Sequence, residues 1–296
     1  MPSKEFESLV KKVWARRPET PPSLAESREM MEQTGDLFPL PDGTDMHEVD
    51  AGGVPARWIS MPGAAQDKVV LYLHGGGYVM GSIHSHQTMI AMISGASGAR
   101  CLAINYRLAP EHKCPAAVED VQAAYGWLLG QGIAAKNIAI AGDSAGGGLA
   151  VAALIAIRDA GQSLPGAAVA ISPWVDMTGS GESVKTKADV DPMVNGDGLN
   201  AFAKMYVGDA DLKHPLASPL FADLKGLPPM LVQVGTAEVL LDDSRRLAQR
   251  AKAAGVDVTL EEGEDMIHVW HWFAPMAPEG GEAIDRMGQY IKAHLG

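Results

Sequence analysis

Cysteine is nearly absent: two residues, Cys101 and Cys114, stand in a chain of 296, too few for a disulfide framework. Free thiols of this kind are among the most buried side chains, and both are expected to be buried. Basic residues are also scarce, 24 against 36 acidic, for a net charge of −12. Phosphate backbones and anionic membrane surfaces require clustered Lys and Arg, so nucleic acid is excluded as a partner class. No stretch approaches the ~20 apolar residues of a membrane span. The N-terminal MPSKEFESLVKKVWARR has no apolar core of leader length. A cytoplasmic, reducing location is the expectation. The glycine signatures G-x-G-x-x-G and G-x-x-x-x-G-K-[ST] are missing, so no glycine turn reads as a nucleotide phosphate cradle. Internal repeats and low-complexity tracts are lacking too.

What is present is apolar content of 47%, enough for a large core. Phe6, Leu9, Val10, Val13 and Trp14 recur at the spacing of one helix face. TPPS ends that helix, and Ser23 is placed to cap a second one carrying Met30 and Met31. From about residue 46 short apolar segments alternate with helical ones: VPARWIS, KVVLYLH, RCLAINY, NIAIAG, GAAVAIS, MLVQVG and VTLEEG read as strands. Most are apolar throughout, as strands covered on both faces must be, which predicts a doubly wound, mostly parallel α/β sheet flanked by helices. Residues 176–215 contain no strand and read as an insertion whose one good helix is NAFAKMYV. Together with residues 1–45 this insertion makes a plausible helical lid on a catalytic domain spanning 46–296.

The pentapeptide Gly142-Asp143-Ser144-Ala145-Gly146 lies between the strand NIAIAG and the helical GGLAVAALIAI. It fits G-x-S-x-G, a tight strand-to-helix turn that holds a serine in a strained conformation, with glycines at the positions where a Cβ would collide. A serine hydroxyl needs a base to take its proton and donors to hold the oxyanion it creates. After KVVLYLH comes His74-Gly75-Gly76-Gly77-Tyr78, a loop whose bare backbone can approach a substrate and offer N–H groups. His268 follows the last strand and fits the base. His271, three residues on, raises a metal pair, but no third ligand is near and none is expected. His84 and His86 read as surface or supporting groups. The carboxylate should fall between serine and histidine in sequence. TAEVLLDDS supplies Glu238, Asp242 and Asp243; Glu238 is nearest the strand end, while the other two suit the first turn of the next helix.

These segments, with YRLAPEHKCPAAVED, ISPWVDMT and HPLASPLFADLKGLPPMLVQVG, resemble the hormone-sensitive-lipase-like bacterial esterases, which are α/β-hydrolases. The likeness runs from about residue 45 to the C-terminus. It implies Ser144 as nucleophile, Glu238 as triad acid and His268 as base, with Gly76, Gly77 and Ala145 as oxyanion donors. Glu238 departs from the aspartate most common in the family. The resemblance also implies a helical cap, no metal or organic cofactor, a small-molecule ester substrate, and homodimers through the edge strand near the C-terminus. Phe202, Met205 and Tyr206 of the insertion and Trp14 of the first helix are expected to narrow the acyl pocket to short chains, which the resemblance to the family puts at about C2 to C8. Amide, carbamate or lactone hydrolysis would use the same site. A non-catalytic small-molecule receptor, as in the plant gibberellin receptors that resemble this family, is disfavoured because every catalytic role here is filled.

Overall fold

A computed structural model describes residues 2–16 and 20–296. Eight strands form one sheet: β1 (Asp45–Asp50), β2 (Pro55–Ser60), β3 (Ala65–Leu73), β4 (Ala99–Ile104), β5 (Ile138–Asp143), β6 (Ala167–Ile171), β7 (Met230–Gly235) and β8 (Val258–Gly263). Their spatial order is β1-β2-β4-β3-β5-β6-β7-β8. The pairs β1–β2 and β2–β4 are antiparallel; every other pair is parallel. Seven strands coincide with the segments expected from the sequence. β1 was not foreseen: DMHEVD has no apolar run and is largely exposed, as a terminal strand with one partner can be.

The helices are α1 (Lys4–Ala15), α2 (Leu24–Gln33), α3 (Ile83–Ser97), α4 (Ala116–Gly130), α5 (Ala145–Asp159), α6 (Ser183–Thr186), α7 (Gly196–Val207), α8 (Leu241–Ala253) and α9 (Pro278–His294). Successive strand residues point to opposite faces. Leu71 and Ile140 therefore join Val121, Leu149 and Leu247 from α4, α5 and α8, whereas Val70, Tyr72 and Ala139 join Ile90, Ile93, Ile284 and Met287 from α3 and α9. β5, β6 and β7 are buried along their whole length, which explains their unbroken apolar sequence.

Ser3 caps α1 by accepting the Phe6 N–H, and the expected apolar face lies down: Phe6 and Leu9 pack with Met266, Ile267 and Trp270. Ser23 caps α2 reciprocally with Glu26. That helix buries no residue, and Met30 is 49% exposed. Arg28 attaches it instead, donating to the Val79 and Ala109 carbonyl oxygens and to both oxygens of Glu111. The insertion holds α6 and α7 and, among the described residues, no strand. Cys101 is buried as expected, whereas Cys114 is only half-buried, in the turn leading to α4.

Candidate active site

Ser144 sits between β5 and α5 at φ 55° and ψ −120°. A backbone so strained persists only where its surroundings impose it. Here the Ser144 N–H donates to the Ile171 oxygen at 2.8 Å, and its own oxygen accepts from Gly148 and Trp174 at 3.1 and 3.0 Å. The flanking glycines are required sterically. A Cβ on Gly146 would run into the Leu73 and His74 carbonyl oxygens, and one on Gly142 into Gly146 and Leu73.

The loop after β3 turns through three consecutive positive φ values, 114° at Gly76, 64° at Gly77 and 65° at Tyr78. Among the described residues none accepts a hydrogen bond from the N–H of Gly76, Gly77 or Ala145. These three N–H groups are therefore left without an acceptor among the described residues.

The structure brings Glu238 and His268 together. The Glu238 Oε1 lies 3.1 Å from His268 Nδ1. Its Oε2 accepts from Ser172 Oγ at 2.8 Å and from the Gly235 N–H at 2.9 Å. Glu238 is fully buried and His268 is 4% exposed. Burial alone would lower the proton affinity of His268, but Glu238 first, then Asp191 and Asp143, reverse this and leave it raised above an ordinary imidazole.

Ser172 was not foreseen. Its hydroxyl also accepts the Val269 N–H at 3.2 Å, so one side chain spans the acid loop and the histidine loop. Both Ser172 (φ 44°) and Val269 (φ 48°) are left-handed. Since Ser144 is bonded to Ile171, the neighbour of Ser172, the three segments carrying Ser144, Glu238 and His268 converge on one turn.

Asp242 and Asp243 do fall in the first turn of α8. They do more than complement its dipole: Asp242 accepts the Ser183 N–H at 2.8 Å, and the buried Asp243 accepts from Val175 and Asp176 at 2.9 and 3.0 Å. His271 bonds Gln233 through Nε2 at 2.9 Å, and burial pulls its pKa down to about 3. His84 is near the surface facing Asp36, but His86 is buried with Nε2 3.3 Å from the Asp143 carboxylate. Of the expected pocket residues, Phe202 lies against Gly77, where a Cβ would strike its ring. Tyr206 is buried and stacks on Tyr78 at 3.8 Å, so it backs the loop. Met205 is half-buried against the main core, and Trp14 is half-buried in the last turn of α1.

A family described as having the alpha/beta hydrolase fold matches residues 70–272. An acetyl-hydrolase of Streptomyces hygroscopicus is 48% identical over 248 residues, covering 84% of this chain and 83% of that protein. An esterase of Acinetobacter venetianus is 32% identical over 265 residues, covering 89% and 87%. Among solved structures, an esterase from the bacterial hormone-sensitive lipase family superposes with a TM-score of 0.97 at 49% identity, covering 100% of both chains. Another, EstE5 soaked with p-nitrophenyl butyrate, gives 0.96 at 49% identity and 99% coverage of each.

Proposed function

Because the chain belongs to the α/β-hydrolase-fold family, alongside esterases of the bacterial hormone-sensitive lipase family, it is a carboxylic ester hydrolase, and we propose that Ser144, His268 and Glu238 carry the reaction. The observation that bears most on this is the 3.1 Å contact of Glu238 with His268 Nδ1, made where the Ser144 turn arrives. With Nδ1–H given to Glu238, Nε2 is left to receive a proton. Ser144 Oγ attacks the ester carbonyl carbon as His268 Nε2 takes its proton. The N–H groups of Gly76, Gly77 and Ala145 hold the oxyanion. The carbon–oxygen bond to the alcohol then breaks, and the alkoxide takes the proton back from His268. Water repeats the sequence on the acyl-enzyme, releasing the acid and restoring Ser144.

Residues 1–45 and 176–215 serve, on this reading, as a cap over the acyl site. In support, α1 packs on Ile267, next to His268, and Phe202 of α7 lies against Gly77. An aromatic ring so close to an oxyanion donor leaves room for short acyl groups. The acetyl-hydrolase among the relatives and the butyrate ester soaked into EstE5 point the same way. A cytoplasmic location, which two free thiols favour, and self-association through β8, the last strand of the sheet, belong to the same proposal.

The test is hydrolysis of matched p-nitrophenyl esters and p-nitroanilides, from acetyl to palmitoyl, by purified protein and by Ser144→Ala. Ester cleavage that peaks at short chains and falls roughly a million-fold in the variant is expected. Undiminished turnover by Ser144→Ala, or preference for anilides, overturns the reading.

A further inference from the structure

The segment from Val175 to Asp191 grips the stretch that follows Glu238 at several points. Asp243 accepts from Val175 and Asp176, and Asp176 pairs with Arg246 at 2.9 Å. Asp242 accepts the Ser183 N–H, while Ser183 Oγ donates to the Val239 oxygen at 2.6 Å. Asp191 completes the set: its Oδ2 accepts the Val239 N–H at 2.9 Å. Val239 is therefore held by the insertion through both its N–H and its carbonyl. It is also the residue directly after Glu238.

Asp191 is fully buried. Its Oδ1 accepts from Met193 and Val194, both at 2.9 Å, closing a turn from which Met193 packs with Ile267 and Met266 beside the histidine loop. A buried carboxylate with three backbone donors is rigidly placed. A rigid anion next to the acid loop does two things at once: it fixes the backbone that carries Glu238, and it adds negative charge near the imidazole.

We propose that Asp191 is a positioning residue for the reaction, holding Glu238 through Val239 and favouring the imidazolium form of His268 from the insertion side. This rests on the Ser144–His268–Glu238 reading above. Burial raises the proton affinity of Asp191 and His268 opposes that rise, while Asp191 in turn raises the proton affinity of His268. Glu238, Asp143 and His271 also face the imidazole, and Glu238 faces Asp191, so the effect of Asp191 is one contribution among several.

The substitution Asp191→Asn separates this role from simple support of the insertion. Its amide oxygen can keep the bonds to Met193 and Val194, but its NH2 then opposes the Val239 N–H, donor against donor. We expect kcat to fall roughly tenfold or more, with KM changed only about twofold, because a displaced catalytic group costs rate more than binding. Removing the anion also lowers the His268 pKa, so the acid limb of kcat/KM against pH should move down by about half a unit. Asp191→Glu keeps the charge and displaces the oxygens: its acid limb should match the wild type while kcat falls a few-fold. Asp242→Asn, which loosens the insertion at Ser183, should leave the limb unmoved. A folded Asp191→Asn with wild-type kcat and an unmoved limb overturns the proposal. If that variant does not fold, wild-type kcat in Asp191→Glu overturns it instead. Activity surviving in Ser144→Ala would be a different failure, that of the site assignment itself.

Discussion

Asp143 accepts the Gly75 N–H at 3.1 Å, so the residue before Ser144 holds the residue before Gly76. The same carboxylate accepts from Tyr72 OH at 2.7 Å and lies 3.3 Å from His86 Nε2. Burial would raise the pKa of Asp143, but His86 and Tyr72 outweigh this and keep it below the ordinary carboxylate range. The Ser144 turn and the Gly76–Gly77 loop thus depend on one buried carboxylate for their spacing.

Replacing Asp143 with Ala should expose that dependence. The Tyr72 hydroxyl would be buried without a partner, at a cost of about 1–3 kcal/mol, and the Gly75 N–H would keep only its 3.3 Å bond to His86 Nε2. A clear fall in Tm is expected, and kcat should drop by roughly tenfold or more because the oxyanion donors lose their registration. Thermal unfolding and steady-state kinetics on one short ester measure both.

Glu238→Gln should keep the fold and lose roughly three to four orders of magnitude in turnover, since an amide neither fixes the productive imidazole tautomer nor balances its charge. Asp242→Asn should retain most of the rate. Abolished turnover in Asp242→Asn with an active Glu238→Gln would move the triad acid to Asp242.

The carboxyl of Asp243 gives a pH prediction. Burial pushes its pKa from an ordinary 3.8 up to about 8, against the two N–H groups that favour ionisation. Its folded pKa exceeds its unfolded one, so its contribution to stability is full below pH 3.8 and is lost as pH rises through about 8. Asp243→Asn cannot ionise. The decline of Tm between pH 5 and 8 should be shallower in this variant than in the wild type, and parallel curves would refute the assignment.

Phe202→Ala removes the ring that lies against Gly77. The ratio of kcat/KM for octanoyl over acetyl esters should rise roughly tenfold, in line with what a few methylenes gain in an apolar site. An unchanged ratio would place the acyl pocket elsewhere.

The sequence revealed those features that leave a residue pattern at one place in the chain. Ser144 stands out because glycine is required at 142 and 146, where a Cβ would meet the Leu73 and His74 carbonyl oxygens at the end of the neighbouring β3 or the Gly146 oxygen of its own turn, and Glu238 because it is the first carboxylate past Gly235. Features created by packing left no such trace. Ser172 matters through a left-handed φ that brings its hydroxyl between two loops. His86 looks like any helical histidine until α3 buries it against Trp272, stacked at 5.2 Å. Asp191 lies in a stretch with neither helical nor strand periodicity, and its partner Val239 is distant in sequence. β1 escaped notice for the opposite reason: a terminal strand needs little apolar content to pair.

The double hold on Val239 also sets the rules for recombining this chain with its relatives. A chimera that takes residues 176–215 from another sequence and keeps this one's 239–246 separates Ser183 from Asp242, Asp191 from Val239 and Asp176 from Arg246. The two stretches are one exchangeable unit despite the strand between them. Crossovers placed to swap them together preserve the seat of Glu238, and a junction at 216 does not.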